Sequence, residues 1–249
     1  MKGFTPRLEE LAREAVKGLP REFKVISEFA HPFAIKMICE LLGITPDSRL
    51  REWSSSFFYL FTKIPSVEVR TQVDEHLTEF REWVRGEFGR EEKSGVLAGF
   101  AEAVASAEMS EEVAVDGMIL LFADGLENVD SGIGNALLVF SQNPDEWDKL
   151  RSGESLLKGA VAECLRFESP AQYIARTCLE DFEWQGHQFK KDISVILLLA
   201  SANRDEEVFP EAGTFKIDRE AKSHLAFGQG KHSCLGGRLV EMELAAILG

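Results

Sequence analysis

Apolar positions recur at helical spacing through most of the first 170 residues. "PRLEELAREAVKGL" sets Leu8, Leu11, Ala12 and Ala15 on one stripe, and "FAIKMICELLG" sets Phe33, Ile35, Ile38, Leu41 and Leu42 on another before Gly43 ends it. "LREWSSSFFYLFTK" and "VEVRTQVDEHLTEFREWVRGEFG" continue the period, the second with a charged face that reads as solvated. After "REEKSG" and a short helix, Ser110 is placed to cap one long helix, "EEVAVDGMILLFADGLENVDSGIGNALLVFSQ", closed by Asn143-Pro144. That segment is too apolar to lie at the periphery. A shorter helix is expected at about 145–151, and another from near Ser155 through "ECLRFES", stopped by Pro170.

The period then changes. "AQYIARTCLED", "FEWQGHQF" and "SVILLLASAN" are short runs rich in branched and aromatic residues, which predicts a small sheet. "EEVFPEAGTFKIDREAKSHLAFG" has no period and carries Pro210 and Gly213, so it reads as a long ordered loop of the kind that serves function. The expected fold class is mainly α with a small β-sheet, and the 249 residues at 45% hydrophobic content suit a single domain over 1–249.

Charge and cysteine usage narrow the function classes. With 42 Asp+Glu against 28 Lys+Arg and a formal net charge of −14, nucleic acid and anionic membrane surfaces are not expected partners. No run reaches the roughly 18 apolar residues that span a bilayer, and "MKGFTPRLEE" has no apolar leader, so the expected location is the cytoplasm. Cys39, Cys164, Cys178 and Cys234 are widely spaced, which argues against a disulfide framework. Cys39 in "MICELL" and Cys164 in "AECLRF" read as buried small hydrophobes.

Cys234 has a different setting. Gly228 and Gly230 precede it, Gly236 and Gly237 follow it, and Leu235, Leu239, Met242 and Ala246 then fall at helical spacing. The sulfur should therefore sit at the N-terminal end of a helix, where the macrodipole, free N–H groups and nearby Lys231 favour thiolate. Glycines let a flat partner approach the backbone. Such a thiolate suits a nucleophile, a metal ligand or a haem ligand, and a structural cysteine beside a helix cap is the plain alternative. His232 is two residues away, too near in a turn to align as a base, and His31, His76, His187, His224 and His232 form no spaced pair for zinc. Gly230-Lys231-His232 is not a P-loop, because no Ser or Thr follows the lysine.

Phe227, Gly230, Cys234 and Gly236 fit F-x-x-G-x-x-x-C-x-G, the haem-thiolate signature of the cytochrome P450 family, and "HLAFGQGKHSCLGG" resembles its bacterial form. The resemblance implies that Cys234 is the proximal ligand of the iron of haem b, that Phe227, Gly230 and Gly236 frame it, and that His232 hydrogen-bonds a propionate. Glu163 and Arg166 match the family's E-x-x-R. The same spacing at Glu10/Arg13, Glu82/Arg85 and Glu87/Arg90 reads as surface i,i+3 pairs, whereas Glu163 and Arg166 lie in the apolar helix "LLKGAVAECL", where both charges need partners. By the same match Arg176 contacts a propionate. Where the family often has an arginine this chain has Thr214, so the Glu–Arg–Arg network is expected to be incomplete and the loop beside the haem weakened.

The long apolar helix resembles the family's oxygen-binding helix, with Asp124, Gly125, Leu126, Glu127, Asn128 and Val129 on A-G-x-[DE]-T-[TS]. Glu127 matches the acid, and Asn128 replaces the threonine that organises protons. An amide can donate and accept hydrogen bonds but does not relay protons as a hydroxyl does. The resemblance implies monooxygenase- or peroxygenase-type oxidation of a small organic substrate, fed by a ferredoxin-like redox partner or by peroxide. The alternatives are a non-catalytic haem-binding sensor or partner protein, and a degenerate member that binds no haem. The match begins just after the family's third helix and stops past the cysteine helix, which implies a shortened fold with one haem face open. Self-association or a partner subunit is expected to cover it.

Overall fold

The computed structural model describes residues 4–60, 66–220 and 223–249. The chain divides into two compact units, Met1–Ser131 and Gly132–Gly249. Eleven α-helices and four short strands are found among the described residues, none of the helices long and apolar enough to cross a membrane.

The first unit is helical. α1 (Thr5–Lys17) buries Leu8, Leu11 and Ala12, and a π-helical turn, Val25–Ala30, runs directly into α2 (His31–Leu42). Gly43 ends α2 in the left-handed region at φ 75°, where a Cβ would lie 2.0 Å from the Ser94 carbonyl oxygen, so only glycine fits. α3 (Leu50–Phe57) gives way to a 3-10 turn, Phe58–Leu60, shorter than the sequence period implied; the expected continuation over 61–63 lies outside the described residues. α4 (Val67–Phe88) and α5 (Gly95–Ala105) complete the shell around α6 (Glu111–Asp124).

Aromatic side chains build this core. Phe80 of α4 packs against Trp53 and Phe57 of α3, both with ring centroids 5.2 Å away, and against Phe122 of α6 at 4.7 Å. All four are essentially without solvent contact. Each such ring pair contributes about 0.5–1.5 kcal/mol beyond the burial of its area.

The single long helix expected over 111–142 is two helices. Ser110 caps α6 as anticipated, its Oγ accepting from Val113 N at 3.3 Å. Gly125 then ends α6, and α7 (Glu127–Gln142) restarts on the Leu126 carbonyl, which accepts from the N–H groups of Val129 and Asp130 at 3.1 Å. Glycine weakens a helix, and Ile38 Cδ1 would stand 2.8 Å from a Cβ at this position. Periodicity alone could not reveal the break, because the apolar residues resume in phase.

The second unit holds the rest of α7, then α8 (Pro144–Arg151), a 3-10 turn Glu154–Leu156, α9 (Leu157–Phe167), and the strands β1 (Ile174–Thr177), β2 (Phe182–Trp184), β3 (His187–Phe189) and β4 (Ser194–Leu197). The expected single sheet is two antiparallel pairs, β1 with β4 and β2 with β3. Only the first half of "SVILLLASAN" is strand, since Leu199–Ala202 turns into a one-turn helix, α10. After the long loop, α11 (Gly237–Leu248) ends the chain. Phe140, Trp147, Phe167 and Phe215 form the aromatic part of this core, with Phe215 5.2 Å from Phe140 and 5.6 Å from Phe167. Cys39 and Cys164 are buried as expected, and desolvation pushes the Cys39 thiol up to about 12.

Candidate functional site

The turn that presents Cys234 is held by its own backbone. Cys234 N–H donates to the Phe227 carbonyl at 2.9 Å, and Gly228 and Gly230 take φ of 65° and 86°. These left-handed values explain the glycines: a side chain there strains the backbone, although none of the described residues stands within 4 Å of a Cβ at Gly230. Gly236 is the residue before α11, and a Cβ there would reach 3.8 Å from Cys234 Sγ. A Cβ at Gly237 would meet the Phe227 ring at 3.2 Å, so the ring packs on bare backbone.

Phe227, Gly230, His232, Cys234 and Gly236 thus share one turn, as the spacing predicted. Cys234 and His232 are exposed, Phe227 is half-buried, and Cys234 lies three residues before the first residue of α11 rather than within the helix. Leu235, assigned to the apolar stripe, is 84% exposed. Among the described residues no group of three or more His, Cys, Asp or Glu side chains could hold a metal ion. Arg176 lies exposed on β1 with its Nη1 on the Ala175 carbonyl.

Glu163 and Arg166 are brought together in α9 and are nearly completely buried, at 3% and 2% exposure. Arg166 forms a two-pronged pair with Glu163, Nε to Oε2 at 2.7 Å and Nη2 to Oε1 at 2.8 Å, and its Nη1 donates to the carbonyls of Asn203 and Ala212. The network expected to lack its second arginine is complete. Arg219 Nε lies 3.1 Å from both Glu163 oxygens, and its Nη2 donates to the Thr214 carbonyl at 2.7 Å. The loop folds back so that Thr214 contributes only backbone while the guanidinium arrives from Arg219. Gly159 of α9 permits this approach: a Cβ there would stand 2.3 Å from the Ile217 carbonyl oxygen.

Asn203 couples this network to the cysteine loop. Its side chain accepts from Leu225 N at 2.7 Å and donates to Ser169 Oγ at 2.8 Å, while its own carbonyl serves Arg166. In the sequence Asn203 closes the run "SVILLLASAN", expected to be part of the small sheet, and nothing local there signals the bond to Leu225. Glu87, read as half of a surface pair with Arg90, is instead buried and accepts from Thr45 N at 2.7 Å, with Arg90 at 2.9 Å.

Gly125, Glu127 and Asn128 belong to the first unit, at the junction of α6 and α7. Asn128 and Glu127 are exposed. Partial desolvation and then the charge of Asp130 push the Glu127 carboxyl above its ordinary range.

Comparison with known proteins agrees with this architecture. The family model described as Cytochrome P450 matches residues 155–249, which hold the Glu163 network and the Cys234 turn. Over the whole chain, the structure called CalO2 superposes with a TM-score of 0.92 at 29% identity, covering 98% of this chain and 64% of that one. The chain belongs to the cytochrome P450 family. Among P450 relatives it is 35% identical over 230 residues to the 20-oxo-5-O-mycaminosyltylactone 23-monooxygenase of Streptomyces fradiae, covering 92% of this chain and 54% of the relative. It is 32% identical to the biotin biosynthesis cytochrome P450 of Bacillus subtilis (strain 168), covering 96% and 65%. The P450BioI structure, in complex with hexadec-9Z-enoic acid ligated acyl carrier protein, matches at TM-score 0.90 and 30% identity, covering 99% and 66%. The chain spans about half to two thirds of the length of the P450s it matches.

Proposed function

We propose that this P450 chain is the haem-binding part of a bacterial-type oxidoreductase, with Cys234 as the thiolate ligand of haem b and a small organic molecule as substrate. The observation that carries this reading is the exposed Cys234 in a turn kept open by Gly228 and Gly230 and anchored to Phe227. A flat macrocycle needs that shape, an accessible sulfur with no Cβ between it and the approaching face. A cysteine thiolate presented in such a turn suits haem chemistry, in which it feeds electron density to the iron.

When bound, haem with a thiolate ligand supplies iron chemistry that activates oxygen or peroxide. The remaining steps fall to the chain. Cys234 keeps its position because its N–H is tied to Phe227, and the N-terminal dipole of α11 favours the anionic sulfur. The Glu163–Arg166–Arg219 network and Asn203 stiffen the loop that leads into the turn. His232 and Arg176 are exposed cationic or hydrogen-bonding groups suited to propionates. Glu127 holds a proton more tightly than a free carboxyl does, and Asn128 beside it orients water without passing protons on. Electrons come from a ferredoxin-like partner, or the oxidant is peroxide.

The decisive experiment is a spectrum of the haem-supplemented protein, reduced under carbon monoxide. A long-wavelength Soret band that is lost in Cys234→Ser supports the reading, and a colourless protein overturns it. Asn128 in the place of a hydroxyl favours a second reading, a haem-binding protein without monooxygenase turnover. Peroxide-driven oxidation by wild type and by Asn128→Thr separates the two: turnover only in the variant selects the second.

A further inference from the structure

A serine, a histidine and an aspartate that the proposed chemistry leaves unused form a chain of side-chain contacts in the first unit. Ser54 of α3 places Oγ 3.2 Å from Nε2 of His31, the first residue of α2, and His31 Nδ1 lies 2.8 Å from Asp130 Oδ2 of α7. The partners are 23 and 99 positions apart in the chain, so the fold and not a local turn brings them together. Asp130 is 8% exposed, the His31 side chain keeps 15% of its surface, and Ser54 is half-buried. The acid is enclosed and the hydroxyl is within reach of solvent.

The order of atoms is the one that nucleophilic catalysis needs. A carboxylate only accepts, so Nδ1 carries a hydrogen toward Asp130, and the neutral ring then has its lone pair on Nε2, facing the hydroxyl. An acid so placed holds the imidazole in one tautomer, and the imidazole takes the hydroxyl proton as the oxygen attacks. Ser54 Oγ is also 2.9 Å from the Arg51 carbonyl, which competes for the hydroxyl hydrogen. That carbonyl has a second hydroxyl donor, Ser55 Oγ at 3.0 Å, so the Ser54 hydrogen turns to Nε2 without leaving it unpaired.

The backbone around the set is tied down. His31 stands where the π-helical turn Val25–Ala30 meets α2, and Pro32 follows it; π-helical turns are frequent at functional sites. Arg51, one helical turn before Ser54 on the same face of α3, donates from Nη2 to the Ser27 carbonyl of that turn. It thereby joins the helix that carries Ser54 to the segment that carries His31, and its other guanidinium N–H groups have no acceptor among the described residues. The second serine–histidine pair on α3 is built differently. Ser56 Oγ is 2.6 Å from His76 Nδ1, but Ser56 is buried and the Glu52 carboxylate stands 3.7 Å from His76 Nε2, 68% exposed and too far to fix a tautomer.

We propose that Ser54, His31 and Asp130 form a second active site, one that hydrolyses small uncharged carboxylic esters. Ser54 and His31 are its catalytic residues, and Asp130 positions the ring. Ser54 Oγ attacks the ester carbonyl carbon while its proton passes to His31 Nε2; the bond from that carbon to the alcohol oxygen breaks, and the alcohol leaves with the proton. Water then attacks the acyl-serine and gives a proton to Nε2; the bond to Ser54 Oγ breaks, the carboxylic acid departs, and Ser54 takes the proton back. Arg51 supplies N–H donors for the negative charge that builds on the carbonyl oxygen. A chain of net charge −14 repels anionic esters, and a half-buried serine admits a small acyl group. Water is the only co-reactant, and no step involves haem.

Diethyl p-nitrophenyl phosphate, which phosphorylates activated serines and releases p-nitrophenolate, tests this on the full chain, with peptide mass mapping to show where the adduct lies. One adduct on Ser54 is expected, absent from Ser54→Ala and retained in Ser56→Ala, together with hydrolysis of p-nitrophenyl acetate that stops as the adduct forms. His31→Ala should slow labelling about a hundredfold or more, with partial recovery in added imidazole, which separates a lost base from a lost fold. Asp130→Asn should slow acetate hydrolysis about tenfold or more in kcat rather than in KM, as loss of ring orientation does. No adduct, an adduct on another residue, or Ser54 labelling undiminished in His31→Ala overturns the proposal, as does a Ser54 adduct without ester turnover. If a variant fails to fold, the position of the wild-type adduct and its effect on ester turnover decide. The readout needs no haem, so a colourless protein refutes the proposed function and leaves this result standing.

Discussion

Arg219 Nε lies 3.1 Å from both carboxylate oxygens of Glu163, five residues beyond Thr214, where the family pattern led us to expect the guanidinium. Glu163 is therefore shared by two arginines and accepts from Lys216 N as well. Substituting Arg219 by Ala leaves Arg166 as the remaining cation on a nearly dry carboxylate. A loss of about 1–3 kcal/mol of unfolding free energy is expected in urea titrations. Thr214→Arg, in contrast, alters an exposed side chain whose carbonyl is already used, so its effect stays within about 0.5 kcal/mol. A large gain from Thr214→Arg would show that the network is short of an arginine after all.

Asn203 is fully buried and makes one side-chain bond to each of two segments. Asn203→Ala leaves Leu225 N–H and Ser169 Oγ without that partner, at a cost of about 1–3 kcal/mol for each group left unsatisfied. Hydrogen exchange at Leu225 should accelerate more than exchange in α9. Uniform acceleration across the second unit would show that Asn203 acts on global stability alone.

At Gly230 the strain is purely conformational, because a Cβ there has open space around it but φ is 86°. Gly230→Ala should cost about 1–2 kcal/mol locally, and Gly230→Asn less, since Asn tolerates left-handed backbone. Under the proposed haem-thiolate reading, haem loss from Gly230→Ala should be faster than from Gly230→Asn. Identical loss rates would remove backbone conformation as the reason for glycine.

Glu243 of α11 is 2% exposed, and its Oε2 has no hydrogen-bond partner among the described residues. Burial pushes its carboxyl up to about 8 from an ordinary 4.5. Between those two values the folded chain keeps a proton that the unfolded chain has released. Stability therefore falls as pH rises across that window, by up to about 1.4 kcal/mol per pH unit, and levels off above it. Glu243→Gln cannot ionise, so its stability relative to wild type should grow steadily from pH 5 to pH 8 in urea unfolding. Parallel pH curves for the two proteins would rule this out.

Ser110 caps α6 through a bond to Val113 N. Ser110→Ala should lower stability by about 1 kcal/mol and Ser110→Asp should restore most of it, read by thermal unfolding.

Features that depend on neighbours three or four residues away were legible from the amino-acid order alone. The stripes on α1 and α2, the Gly43 stop, the Ser110 cap and the glycine-framed Cys234 turn all follow from short-range periodicity and backbone conformational preference. So did the burial of Glu163 and Arg166, because two charges in an apolar helix must be paired there. Tertiary structure alone decided which partner each buried group meets. Arg219 replaces an expected neighbour because the long loop doubles back over Gly159; α6 and α7 separate where Ile38 occupies the space beside Gly125; and His31 finds Asp130 across 99 positions of chain. Such pairings are set by where the backbone returns, and that path is chosen by the burial of the whole core rather than by any local pattern.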